Sequence, residues 1–335
     1  LTVLIEQGLR YVILAPNQAE SFRLPVSDRW IATSDRPIDT GKAYRYLHQD
    51  RSDRSISIFF YDGPASRAIA FECVLASSRL LVDLFKQSAA QKPLVNVATD
   101  GETYGHHFKF GDLCLAHALE IEAPEAGFRL TNYGEYLDHH PAEAEVKINQ
   151  GASGEGSSWS CAHGVGRWLR DCGCQTGAEP GWNQRWRRPL RTALEFLRDE
   201  AAREFELAGS DLFHDPWVAR NAYIQVILDH GRSHDEFLRA QMKPGVSAAD
   251  ERRALTLLEM QRNSLLMFTS CGWFFSELSG IETVQVMKYA ARVLELLGKL
   301  GLPSPRRQFL EILSEAKSNL TEQGSGADIF LRSAE

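Results

Sequence analysis

The sequence predicts an α/β protein in two parts: a strand-and-helix region over residues 1–155, then a helical bundle over 156–325, with a frayed tail at 326–335. Three observations predict it. Short apolar runs closed by turn residues recur between helix-length stretches in the first part. The glycine- and serine-rich "NQGASGEGSS" at 149–158 then breaks that rhythm. Beyond it, apolar residues recur almost only at helical spacing.

The elements follow in order. "LTVLIEQGL" places Leu1, Leu4, Ile5 and Leu9 on one helical face, and "RYVILAP" is a short apolar run stopped by proline, the pattern of a buried strand. "ISIFFYD" repeats the strand signal, and "SRAIAFECVLASSRLLVDLFKQSAA" carries apolar residues at helical spacing among good helix formers. "PLVNVAT" is a third expected strand and "FGDLCLAHALE" the helix behind it. Strands alternating with helices imply a parallel sheet covered by helices. In the second part Leu190, Leu194, Leu197 and Ala201 form one apolar stripe, and Val284, Met287, Ala291, Leu294 and Leu297 another. Ser247 and Asp250 have capping-box spacing, and Asp215 precedes a proline at a first helical turn.

Composition bounds the function. A chain of 335 residues with 44% hydrophobic and 24% charged residues has the material for a sizeable core. Acidic residues outnumber basic ones, 44 to 37, and the net charge of -7 argues against a partner held by phosphate neutralisation, so no nucleic acid is expected. The most basic stretch, "RWRRPLR" at 185–191, fits the solvated start of a helix. No run reaches the roughly 18 apolar residues of a membrane span, and the N-terminus lacks the pattern of a signal peptide. Six cysteines are too sparse for a disulfide scaffold, which suits a reducing, cytoplasmic setting and makes the "NLT" sequon at Asn319 a chance match. Oligomeric state is not legible.

The densest chemistry lies in "ATDGETYGHH", residues 98–107, directly behind "PLVNV". In parallel α/β folds ligands gather at the carboxyl ends of strands, where Asp100 is expected. Asp100 or Thr103 could simply cap a helix. Capping needs one oxygen, however, and Glu102, Tyr104, His106 and His107 crowd the same turn. A carboxyl group near a second carboxylate can stay protonated near neutral pH and donate to a leaving oxygen, as glycosidic cleavage requires. Glu102 is too near Asp100 in sequence to face it across a substrate.

A second cluster, "SSWSCAHGVGRWLRDCGC" at 157–174, sets Trp159, His163, Arg167 and Trp168 in a glycine-punctuated loop. Indole faces suit the C–H side of a sugar, and His and Arg donate to hydroxyls. Cys161, His163, Cys172 and Cys174 could instead ligate a metal. Their C-x-H and C-x-C spacings depart from paired C-x2-C zinc patterns, so thiols packed beside aromatics are the simpler expectation, with no metal or cofactor. Gln18 and Asp62, which end strands, and Trp273 in "FTSCGWFFSELSG" complete the expected substrate rim, although core packing accounts for most aromatics of that last stretch.

These residues resemble glycoside hydrolase family 57. "TDGETYGHH" is similar to that family's fourth motif, whose aspartate is the general acid and base. "GLRYVILAPNQA", "LTNYGEYL", "SSWSCAHGVGRW" and "TSCGWFF" resemble a subgroup with a C-terminal helical domain of unassigned role. The resemblance implies the later part of an incomplete, seven-stranded parallel (β/α) barrel followed by an all-α helical bundle. It implies a retaining enzyme that cleaves or transfers α-glucans without metal or organic cofactor, acting on an α-glucan or maltooligosaccharide. Asp100 would be the acid and base, Glu102 an orienting group, and Trp159 and His163 substrate contacts. The family's histidine-containing first motif and the third motif with its nucleophilic glutamate have no counterpart here. Leu1 is therefore expected to fall just after the nucleophile, leaving this piece inactive by itself. A metal-dependent carbohydrate deacetylase and a non-catalytic glucan-binding protein are the alternatives; adjacent histidines without H-x3-H spacing weaken the first.

Overall fold

The computed structural model describes residues 1–50, 52–90, 92–230 and 232–334. It divides into two compact units, Leu1–Gly164 and Val165–Glu335.

The first unit is built on a six-stranded sheet with β1 (Tyr11–Leu14), β2 (Ala19–Arg23), β3 (Ile31–Ala32), β4 (Ala43–Leu47), β5 (Ser55–Phe60) and β6 (Ala144–Ile148). The strand order is β1-β5-β4-β6-β2-β3. The expected parallel sheet is corrected to a mixed one. Only β1–β5 and β4–β6 run parallel, whereas β4–β5, β2–β6 and β2–β3 are antiparallel. The short return from Leu47 to Ser55, where His48 N–H donates to the Arg54 carbonyl at 2.9 Å, leaves no room for a helical crossover. Alternation along β5 explains its burial on both faces. Ile58 and Phe60 join Tyr44, Phe22 and Val146 in one cluster, and Phe59 joins Ala43, Leu94 and Tyr136 in another.

Helices α1 (Thr2–Glu6), α2 (Gly63–Phe71), α3 (Ser78–Ala89), α4 (Gly111–His117), α5 (Ala123–Glu125) and α6 (Tyr133–His139) complete this unit. The stretch expected as one long helix is two. Cys73 adopts φ 54°, a left-handed conformation that no helix interior accepts, and a 3-10 turn at Val74–Ala76 leads into α3. "PLVNVAT" forms no strand. Asn96 replaces a ladder with side-chain bonds, its Nδ2 donating to the Thr40 carbonyl at 2.7 Å, while its own carbonyl accepts from Asp62 N–H at 2.8 Å.

The second unit is helical: α7 (Arg187–Gly209), α8 (Pro216–Leu228), α9 (His234–Gln241), α10 (Ala248–Leu266), α11 (Ile281–Lys299), α12 (Arg306–Leu313) and α13 (Gly326–Ser333). The α7 stripe is its core, with Leu190, Leu194, Leu197 and Ala201 all at 0% exposure. On α11, Met287, Leu294 and Leu297 are buried. Both expected helix starts are present: Asp215 Oδ1 accepts from Trp217 and Val218 N–H, and Ser247 and Asp250 form a capping box. The expected frayed tail is instead a docked helix. Ser325 and Asp328 cap α13, and Phe330 is buried edge-on against Phe309 at 5.3 Å. Glu335 lies outside the described residues.

No described helix is long and apolar enough to cross a membrane. The expected solvated start of α7 holds only in part: Arg185 and Arg188 are exposed, but Trp186 and Arg187 are 1% and 0% exposed. Leu197→Ala on α7 is expected to cost about 2–5 kcal/mol through a cavity that fully packed neighbours cannot refill, read as a fall in the melting temperature of the helical unit.

Candidate functional site

At the carboxyl end of the parallel pair, Tyr61 N–H donates to the Leu14 carbonyl at 3.2 Å, which joins the ends of β1 and β5. The 94–99 segment comes alongside there: Asp62 N–H reaches the Asn96 carbonyl and Ala98 N–H donates to Ser66 Oγ at 3.0 Å. The chain then turns. Asp100 precedes a 3-10 turn at Gly101–Thr103, its φ of -65° and ψ of 143° extended, and its side chain caps nothing in that turn. Asp100, Glu102, His106 and His107 are exposed, whereas Thr103 is buried as the turn's anchor.

The backbone shapes this display. His106 and His107 N–H both donate to the Glu102 carbonyl, at 3.1 and 2.9 Å, and the two imidazoles meet edge-on at 5.0 Å. Thr99 Oγ1 donates to the Tyr104 hydroxyl at 2.9 Å, which fixes the tyrosine against the strand-like segment. An exposed carboxylate pair, two imidazoles and a phenol therefore stand on one short turn.

The other expected site residues divide. Gln18 is buried; its Oε1 accepts from Ala15 N–H at 3.0 Å and its Nε2 donates to the Ser157 carbonyl at 3.1 Å, so it braces two loops. Asp62 is buried too. It caps α2 through Ala65 N–H at 3.0 Å and accepts from Ser88 Oγ and, at 2.9 Å, from Lys92 Nζ. Burial pushes its carboxyl pKa up, but these hydrogen bonds and the Lys92 charge outweigh it and hold the group below its ordinary value. Trp273, expected at the rim, is fully buried, with its Nε1–H donating to the Arg187 carbonyl at 3.3 Å. It belongs to the helical core.

In the second cluster Trp159 is 57% exposed. Arg167 is buried, donating to Thr176 Oγ1 at 2.9 Å and the Phe274 carbonyl at 2.6 Å, with its guanidinium 4.4 Å from the Phe274 ring centre. Trp168 donates to the Ser270 carbonyl at 3.0 Å. Both work inside the helical unit. Cys161 is buried, His163 is exposed, and Cys172 and Cys174 are half-buried.

One cavity escaped the sequence reading. About 550 Å³ in volume, it is lined by Phe85, Lys92, Asn96, Phe128, Tyr133 and His139 among others, and by neither Asp100 nor Glu102. Its walls are fixed where the buried polar side chain of Asn96 meets the Tyr133 hydroxyl at 3.2 Å. No spacing signal in the sequence joins residues so far apart.

Comparison with known proteins now adds the fold. Residues 182–335 match the family model described as a domain of unknown function, DUF3536. That domain is associated with glycoside hydrolase family 57, and the resemblance read from the motifs stands. Among solved structures, an exo-type maltose-forming amylase from Pyrococcus sp. ST04 is similar at a TM-score of 0.60 and 12% identity, over 96% of this chain and 60% of that one. A 4-alpha-glucanotransferase from Thermococcus litoralis aligns at a TM-score of 0.40 and 11% identity, over 89% of this chain and 40% of that one. The chain thus spans 60% of the length of the first and 40% of the second. Comparison with curated proteins gives no match. At such identities the amylase likeness speaks to fold alone.

The Asp62 clasp has a pH signature. Because its folded-state pKa is depressed, its stabilisation is present above the ordinary carboxylate value of about 4 and is lost as pH falls through the lower folded value. Asp62→Asn is expected to cost roughly 1–3 kcal/mol at pH 7, and the gap from wild type should close as the medium is acidified below that range, measured by thermal melts across pH.

Proposed function

We propose that the chain is part of an α-glucan-acting retaining glycoside hydrolase or glucanotransferase, in which Asp100 is the acid and base. The observation that carries this reading is the Asp100–Glu102 turn: exposed, free of any capping duty in its own turn, and at the end of the 94–99 segment that is bonded to the residues following β5. The resemblance of its motif to family 57, the associated helical domain and a fold like that of a maltose-forming amylase point the same way.

In a retaining reaction the acid protonates the bridging oxygen as the leaving sugar departs, while a second carboxylate about 5 Å away attacks the anomeric carbon. Asp100 takes the first role and then, as base, deprotonates the acceptor that releases the covalent glycosyl group. Glu102 lies two residues on, where it orients and charges the turn. The nucleophile is assigned to no residue of this chain. Trp159 offers the sugar a stacking face, and Tyr104, braced by Thr99, lines the approach. The later part of a (β/α) barrel remains the reading for how the first unit contributes to the whole enzyme.

The test is turnover of maltooligosaccharides by a form of the protein active on them. Asp100→Asn is expected to lower kcat by about 10²–10⁴-fold without lowering the melting temperature. Unchanged turnover would remove Asp100 from the reaction. Hydrolysis and transfer are separated by whether free glucose chains or elongated oligosaccharides accumulate.

A further inference from the structure

The stretch "HFKFGD" at 107–112 sets two phenylalanines two residues apart, and the fold treats them oppositely. Phe108 packs against Ile69, Leu75 and Leu81 in a core cluster of the first unit. Phe110 is 62% exposed.

Its backbone is strained as well. Phe110 has φ 66° and ψ 13°, the left-handed conformation, and is the bulkiest of the three non-glycine residues at positive φ among those described. Glycine or asparagine fills such a position readily, whereas a large side chain persists there only where its surroundings impose it. Neither burial nor capping supplies a reason, since the ring is in solvent and gives α4 no side-chain cap.

The position is fixed against the Asp100 turn, within the first unit. Phe108 N–H donates to the Thr103 carbonyl at 3.3 Å, and Gly111 N–H to the Phe108 carbonyl at 2.9 Å. A Cβ on Gly111 would stand 3.3 Å from Tyr104 Cα and 3.4 Å from the Thr103 carbonyl oxygen. The start of α4 therefore lies directly on the turn that carries Asp100 and Glu102, and Phe110 is the residue before that contact.

We propose that Phe110 is a substrate-contacting residue, a platform on which one glucose unit of an α-glucan stacks beside the Asp100 turn. The proposal rests on the glucan reading of that turn and adds a specific contact to it. A glucose ring presents C–H groups on its face and hydroxyls around its edge, so a flat apolar ring flanked by hydrogen-bonding groups matches it. Lys109 places its ammonium 5.1 Å from the centre of the Phe110 ring, and His106 and His107 are exposed on the adjoining turn. Strain at residue 110 is then the cost of holding an aromatic face where the substrate passes.

The test uses a form of the protein that turns over maltooligosaccharides. Phe110→Asn removes the ring and suits the left-handed backbone, so KM is expected to rise about threefold to tenfold while the melting temperature stays level or rises. Phe110→Trp should keep the wild-type KM. Leu113→Ala removes an equally exposed apolar side chain from α4 and should leave KM unchanged. Unchanged KM in Phe110→Asn overturns the proposal, as does an equal rise in Leu113→Ala. A rise in KM that comes with a fall in melting temperature also overturns it, because the ring would then be holding the turn. Asp100→Asn tests the underlying reading separately: turnover that survives it ends the glucan assignment and the platform with it. Turnover lost in Asp100→Asn but wild-type in Phe110→Asn ends the platform alone.

Discussion

The placement of the Asp100 turn depends on a buried polar clasp at the carboxyl end of β5. Asp62 holds three donors at once: the first turn of α2, Ser88 near the end of α3, and Lys92. Lys92 in turn donates to Thr40 Oγ1 at 2.9 Å. A buried carboxylate is costly unless such partners surround it, and once they do, removing any one leaves a charge uncompensated. The clasp therefore fixes the two helices and the start of the 92–99 segment in one arrangement.

Asn96 extends the clasp. It donates to the Thr40 and Phe60 carbonyls and accepts from the Tyr133 hydroxyl, while its backbone carbonyl accepts from Asp62. These contacts, one from the backbone and three from the side chain, stand in for the ladder that a true strand would make, and the side-chain ones set one register only. A segment so held can end in an irregular exposed turn without fraying. This is how a carboxylate pair comes to be displayed to solvent on a firm base, the condition that positioned proton transfer requires.

Much of this was legible in the residues, and the reasons differ by element. The stripes on α7 and α11 and the caps at Asp215 and Ser247 follow from local periodicity and local hydrogen bonding, which a sequence states directly. β1 and β5 were legible because both are apolar runs, although only β5 is deeply buried. β2, β3, β4 and β6 were not: "AESFR" and "AEVKI" carry charges, and what makes them strands is their pairing with each other, with Glu145 between Arg23 and Arg45 across the sheet. "PLVNVAT" misled for the converse reason, since its apolar residues are spent on packing while its polar groups pair with side chains. Gln18 and Asp62 were placed at strand ends for their chemistry, and their actual work is bracing, because a polar group next to a strand end is near unsatisfied backbone before it is near any ligand. Trp273, expected at the rim, sits instead in a tightly packed core, where a Cβ on the adjacent Gly272 would stand 2.8 Å from Val286 Cγ1.

Composition misleads over residues 149–158, where glycine and serine suggest a slack break between parts. Gly151, Gly156 and Gly164 instead approach so closely that any side chain at 151 or 164 would collide with the Gly156 carbonyl. Glycine marks flexibility only where nothing is near it. Where backbone meets backbone it marks the tightest packing a chain can achieve.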